Sequence, residues 1–196
     1  MKFDHIVARF GIAVVVLCLS GVAAGQGMSR EWQGISLGAG SAVKQKLEGA
    51  QGRAVSLVGR SRSVGQLVDI PALDAWRWRP VISSGSVYRA SEQDGLLVLA
   101  VGAEVERDAG WVGHQLRPYV AVGFSPTLLS DDELGPVIIG GDFHFTSAVM
   151  LGLKVHAPLP FRLAFRLSHT SNGGLRKDNP GVDISGLTVE FPFRLW

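Results

Sequence analysis

Charge is scarce in this chain. Asp, Glu, Lys and Arg make up 18% of its 196 residues, and the formal net charge is only +2. No basic run accompanies that small excess, so nucleic acid is not an expected partner. Cysteine is scarcer still. Its single copy, Cys18, lies inside an apolar N-terminal run, which leaves the remainder of the chain without a disulfide or a thiolate metal site. After residue 25 no apolar run approaches the roughly 20 residues that a membrane-spanning helix needs. The few histidines do not compensate: His114 and His156 fall in loops, and no spacing pairs them as metal ligands. Neither a metal nor a cofactor is expected.

The N-terminal run has the form of an export signal. Lys2 and Arg9 give a basic lead, Gly11 to Leu19 an apolar stretch of secretory length, and Val22-Ala23-Ala24 a small-residue cleavage site before Gly25. The expectation is a signal peptide over residues 1–24 and one domain over residues 25–196.

What that domain has in quantity is glycine, at 25 residues in the chain, and a repeated alternation of side chains. Ile35, Leu37 and Ala39 alternate with Gly34, Ser36, Gly38 and Gly40. The pattern returns, less cleanly, in Arg53 to Arg60 and in Leu73 to Tyr88. It is clearer in Leu96 to Arg107, Pro118 to Thr127 and Phe143 to Lys154, where Phe143, Phe145, Val149, Leu151 and Leu153 oppose His144, Thr146, Ala148, Gly152 and Lys154. Two more segments follow, Phe161 to Ser171 and the run after Val182. Period two marks strands, so the count is eight.

The two faces of these strands decide the architecture. One is large and apolar; the other carries Gly, Ala, Ser and Thr with a few Arg and Glu. A soluble barrel or sandwich turns its large apolar face inward. Here the small polar face suits the narrow interior of an eight-stranded barrel, and the large face suits lipid. The fold expected is therefore all-β, an eight-stranded antiparallel transmembrane β-barrel of the Gram-negative outer membrane. Within it, Trp76 and Trp78 read as interfacial belt residues. His144 reads as luminal, and Glu104, Glu106 and Arg107 as an internal charge group.

Chemistry concentrates near the C-terminus. Phe161, Leu163, Phe165 and Leu167 share one face of a strand, and the same parity carries His169 and Ser171. In the last strand Leu187, Val189, Phe191, Phe193 and Leu195 share a face, and counting back places Asp183 on it. A base, a hydroxyl and an acid thus meet on one apolar surface across one hairpin, the elements of a Ser-His-acid esterase. His169 and Ser171 are about 7 Å apart along the strand, so they join only if their side chains lean together.

The stretch His169-Thr170-Ser171-Asn172-Gly173-Gly174, followed by Asn179-Pro180-Gly181-Val182-Asp183, resembles the C-terminal signature of the lipid A 3-O-deacylase (PagL-like) outer-membrane family. Arg117-Pro118-Tyr119-Val120-Ala121-Val122-Gly123 is similar to it more loosely. The resemblance implies an eight-stranded barrel that hydrolyses the ester-linked 3-hydroxyacyl chain at position 3 of lipid A. It implies His169 as base, Ser171 as nucleophile and Asp183, twelve residues after the serine, as the acid that orients the histidine. Asn172 and Gly173 are implied at the oxyanion. The chain departs from the family in one place, with aspartate at 183 where glutamate is usual; the reach is shorter by about 1.5 Å.

The expected partner is lipid A, the lipopolysaccharide anchor in the outer leaflet, with a homodimer left open. The triad is expected to face outward, at the rim where both strands meet the outer surface. Two other functions fit less of the sequence: a non-catalytic structural or adhesion barrel, and an acyltransferase whose substrate enters the interior. The inward faces hold no comparable Ser, His and acid set for the latter.

Overall fold

The structure is a computed structural model that describes residues 32–43, 47–89, 94–177 and 180–192. The expected signal peptide, Gly25, Asn179, Phe193, Leu195 and Trp196 lie outside these residues. Eight strands form the wall: β1 (Trp32–Ala42), β2 (Ala50–Gly59), β3 (Trp76–Arg89), β4 (Asp94–Asp108), β5 (Leu116–Leu129), β6 (Phe143–Val155), β7 (Phe161–Ser171) and β8 (Val182–Pro192). Each pairs antiparallel with its neighbours. The β1–β8 and β2–β3 ladders complete the ring, so no wall strand is left as an edge.

The register fixes the geometry of closure. Paired residues lead from Tyr88 through Gln51, Ser41, Ser185, Leu167, Val149, Val122 and Val105 to Trp78. From Tyr88 to Trp78, one circuit descends ten residues on β3. With eight strands, that stagger tilts them by about 40° from the barrel axis and leaves a narrow interior that side chains largely fill.

The alternation sorts residues as the sequence pattern predicts. Leu97, Leu151 and Leu187 are 68%, 62% and 56% exposed on the outer face, in a band of apolar side chains that continues around the wall. So large an exposed apolar surface marks contact with lipid. Inside, Ala100, Ala121, Ala148 and Ala164 are buried, together with a layer of charges. Arg79 donates to Glu104 at 2.6 Å and to Glu190 at 2.7 Å. Lys154 bridges Glu106 at 2.8 Å and Asp108 at 2.5 Å, Arg166 meets Glu104 at 3.2 Å, and Arg162 bonds Glu106. Arg107 is not part of this group, contrary to expectation. It has outward parity and lies over the Trp76 ring at 5.7 Å.

The wall's two ends are closed differently. At the end away from the chain termini, Leu134 and Ile139 of the 130–142 loop pack with Leu47, Leu96, Leu129 and Val182 as an apolar cap. Between cap and charge layer lies a cavity of about 170 Å³ lined by Gly38, Gly52, Ser56, Ser83, Gly85 and Thr146 among others. At the opposite end the β2–β3 turn carries a short helix, α1 (Val64–Val68). Ser63 caps it, accepting from the Gln66 N–H and donating to Asp74. Val64, Val105 and Phe124 pack against the cluster of Trp78 and Ala103. Trp78 is thereby 5% exposed, so it is covered by this turn and does not serve as a belt residue. The expected strand from Leu73 begins later, at Trp76, because Pro71–Leu73 form a 3-10 turn.

Removing one member of a buried ion network strands its partners. Arg79→Ala, which leaves Glu104 and Glu190 facing each other, should lower the unfolding free energy by about 3–5 kcal/mol. The loss should appear as an earlier midpoint in urea titration of the folded band on unheated gels. Leu151→Ala on the outer wall should move that midpoint far less.

Candidate active site

The β7–β8 ladder sets His169 directly opposite Asp183. Directly opposed residues on one face have Cβ atoms about 5 Å apart, so the short aspartate carboxylate suffices. His169 Nδ1 donates to Asp183 Oδ1 at 2.5 Å. An ionised carboxylate only accepts, so this bond fixes the ring tautomer and leaves Nε2 as the proton acceptor. The His169 side chain is 47% exposed on the same wall as Phe165 and Leu167. Cross-strand pairing thus supplies the reach that the missing methylene would otherwise remove.

Ser171 closes β7 on the same face, half-buried and opposite Phe145 of β6. Among the described residues its hydroxyl has no hydrogen bond, to His169 or to any other group. Two positions along a strand separate the Cα atoms by more than a hydrogen bond spans, and bonds of this kind commonly tighten only with substrate in place.

The loop after Ser171 is built on left-handed glycines. Gly173 and Gly174 have φ of 65° and 82° and turn the chain out of β7. Asn172 is fully buried and faces inward. Its Nδ2 donates to the Gly140 carbonyl at 3.1 Å, and its Oδ1 accepts from the Gly174 N–H at 2.9 Å. The side chain implied at the oxyanion is therefore occupied in holding this loop to the neighbouring one. Gly181, at φ 65°, returns the chain to β8 against the imidazole; a Cβ there would lie 2.7 Å from His169 Cε1. Gly173 has a similar, looser relation to Phe145, whose ring would meet its Cβ at 3.2 Å.

Behind the site the wall is stiffened from inside. Thr127, Thr146 and Thr170 form a hydroxyl ladder across β5, β6 and β7 with both bonds at 2.8 Å. Ser168 Oγ donates to the Ile184 carbonyl at 3.3 Å. His144 is luminal as expected, fully buried beside the Ile139 carbonyl at 3.3 Å. The interior cavity is lined by neither His169, Ser171 nor Asp183, so the three share the outer wall alone. Among the described residues no group of three His, Cys, Asp or Glu could hold a metal ion. Sequence reasoning did not identify the steric role of Gly181 or the serine at 147 opposite His169. The latter had a signal, since position 147 is where large side chains skip a beat in β6.

A family model described as lipid A 3-O-deacylase (PagL) matches residues 71–192, which include all three residues. The lipid A deacylase PagL of Bordetella bronchiseptica is 34% identical over 83 residues, 42% of this chain and 44% of that protein, so less than half of its length is covered. The crystal structure of the outer membrane enzyme PagL superposes with a TM-score of 0.61 at 18% identity, covering 82% of this chain and 99% of that one. Neisserial surface protein A superposes at 0.51 with 14% identity, covering 86% of this chain and 100% of its own. At these identities the two structures speak for the fold only.

Two glycines separate backbone strain from collision. Ala at Gly174 or Gly181 costs about 1–2 kcal/mol of left-handed strain, but only at 181 does the methyl meet His169; at 174 the space is open. In micelles, Gly181→Ala should abolish the downfield Nδ1–H resonance of the His169–Asp183 bond, and Gly174→Ala should keep it. Equal loss in both would mean that loop strain, not contact, governs the ring.

Proposed function

The chain belongs to the lipid A 3-O-deacylase (PagL) family, and on that premise we propose that it hydrolyses the ester-linked 3-hydroxyacyl chain at position 3 of lipid A on the outer wall of its barrel. The observation that carries this reading is the His169–Asp183 hydrogen bond, which orients an imidazole two residues from a serine on a largely apolar surface. The barrel is one of the Gram-negative outer membrane. The end bearing the β7–β8 loop faces outward, so lipid A in the outer leaflet reaches the site by lateral diffusion. A second copy of the chain is not needed to complete it.

Ser171 Oγ bonds to the ester carbonyl carbon as its proton passes to His169 Nε2, and the carbonyl electron pair moves onto oxygen. Asp183 stabilises the imidazolium so formed. The N–H of Gly173, at the turn beside Ser171, is the donor proposed for the oxyanion; Asn172 supports it by anchoring the turn to Gly140. Collapse of the tetrahedral intermediate breaks the bond to the sugar oxygen, which takes the proton from His169. Water then repeats the sequence on the acyl-serine and releases a 3-hydroxy fatty acid. A non-catalytic barrel would share the fold but has no use for an acid-bound histidine on its lipid face.

Ser171→Ala and His169→Ala should each lower deacylation by on the order of 10³-fold or more, with folded-band mobility unchanged, as read by mass spectrometry of lipid A. Asp183→Asn should fall between these and wild type, because the acid orients the base without reacting. Chelators should leave the rate unaltered; their abolishing it would contradict the mechanism.

A further inference from the structure

Beside the triad the outer face carries two further serines, Ser185 of β8 opposite Leu167 and Ser147 of β6. Ser147 of β6 lies directly opposite His169 on one side and opposite Phe124 of β5 on the other. The row Phe124, Ser147, His169, Asp183 therefore crosses four adjacent strands on one face. Along β6 its same-face neighbours are Phe145 and Val149, so a small polar side chain stands where the wall is otherwise large and apolar. Phe124 and Phe145 stack at 5.7 Å beside it. Ser147 is half-buried, and among the described residues its hydroxyl has no partner. A polar group on an apolar wall without a hydrogen bond is unfavourable, and the partner here must come from outside the chain.

Asp183 holds Nδ1 on the β8 side of the imidazole, so Ser147 stands on the opposite, β6 side. Ser147 and Ser171 are diagonal neighbours, about 7 Å apart. Ser147 is also two residues deeper into the wall than Ser171, the direction in which an acyl chain runs from a sugar at the rim. Below it, Val149, Leu167, Leu151 and Phe165 continue as an apolar track.

We propose that Ser147 is a specificity-determining residue that hydrogen-bonds the β-hydroxyl of the 3-hydroxyacyl chain. This rests on the reading of Ser171 as nucleophile toward lipid A. The β-hydroxyl sits two carbons from the scissile carbonyl, about 3–4 Å from it by bond lengths. With the carbonyl carbon against Ser171 Oγ and the chain descending, that hydroxyl comes within reach of Ser147. The stacked phenyl rings confine the chain on the β5 side, and the imidazole confines it on the β7 side. Substrates lacking the β-hydroxyl would leave the Ser147 oxygen unpaired in lipid, which is how one hydroxyl discriminates against them.

The test uses the full-length protein refolded in detergent and two lipid A substrates of equal chain length, one with and one without the β-hydroxyl on the position-3 chain. Wild type should prefer the hydroxylated substrate in kcat/KM by about tenfold, one hydrogen bond's worth. Ser147→Ala should bring that ratio close to one, and Ser147→Thr, which keeps the hydroxyl, should preserve it. An unchanged ratio in Ser147→Ala overturns the proposal. So does loss of both activities in a folded Ser147→Ala, which would make Ser147 part of the reacting machinery. Ser171→Ala is measured in parallel: activity surviving there refutes the underlying reading, whatever Ser147→Ala does.

Discussion

A stagger of ten residues around eight strands leaves a narrow interior that side chains largely fill, and the rest of the molecule follows from that constraint. Glycine, alanine, serine and threonine line the wall because nothing larger fits beside Arg79, Arg162 and Arg166 and their carboxylates. The charge layer and the Leu134–Ile139 cap occupy the interior at different levels, with the cavity between them. The chemistry proposed for a long-chain lipid is accordingly placed on the outside. On that proposal the outer wall is also where the substrate resides, so acyl chains can lie against it without leaving the bilayer.

Working on that wall raises a problem of polarity, which the rim position relieves. His169, Ser171 and Asp183 occur where β7 ends and β8 begins, which the proposal sets close to the headgroup level, where polar side chains cost far less than at the midplane. Position alone does not orient them. The antiparallel register sets His169 and Asp183 opposite each other, Gly181 lies against the ring, and the Thr127–Thr146–Thr170 ladder stiffens the strands from behind. Rigid strands carry the base and the acid, and the turn carries the donor proposed for the oxyanion. That division suits a reaction in which only the substrate has to move.

Much of this was legible in the sequence, for a physical reason: in a barrel wall, period two is both the secondary structure and the sorting rule. Parity alone put His169, Ser171 and Asp183 on the face of Phe165 and Leu187, and put Asn172 on the other. It failed where a non-wall segment folds over the wall. Trp78 has outward parity yet is covered by Val64 of α1, which no alternation foretells. Proximity in sequence groups Arg107 with Glu104 and Glu106, although its parity differs from theirs; Arg79, Arg162 and Lys154, distant in sequence, are the true partners. Ser147 required register as well as parity, because its meaning lies in which residue stands opposite. The aspartate at 183 changes sense for the same reason: a spacing count makes it short, and cross-strand pairing makes it long enough.

On the proposed mechanism Ser171, activated by His169 on the outer wall, becomes acylated. A lipid-tailed fluorophosphonate, which labels only an activated hydroxyl, tests it most directly when the modified peptide is located by mass spectrometry. One adduct is expected, on Ser171, and none in His169→Ala. An adduct on Ser147, or on a serine lining the barrel interior, would contradict it.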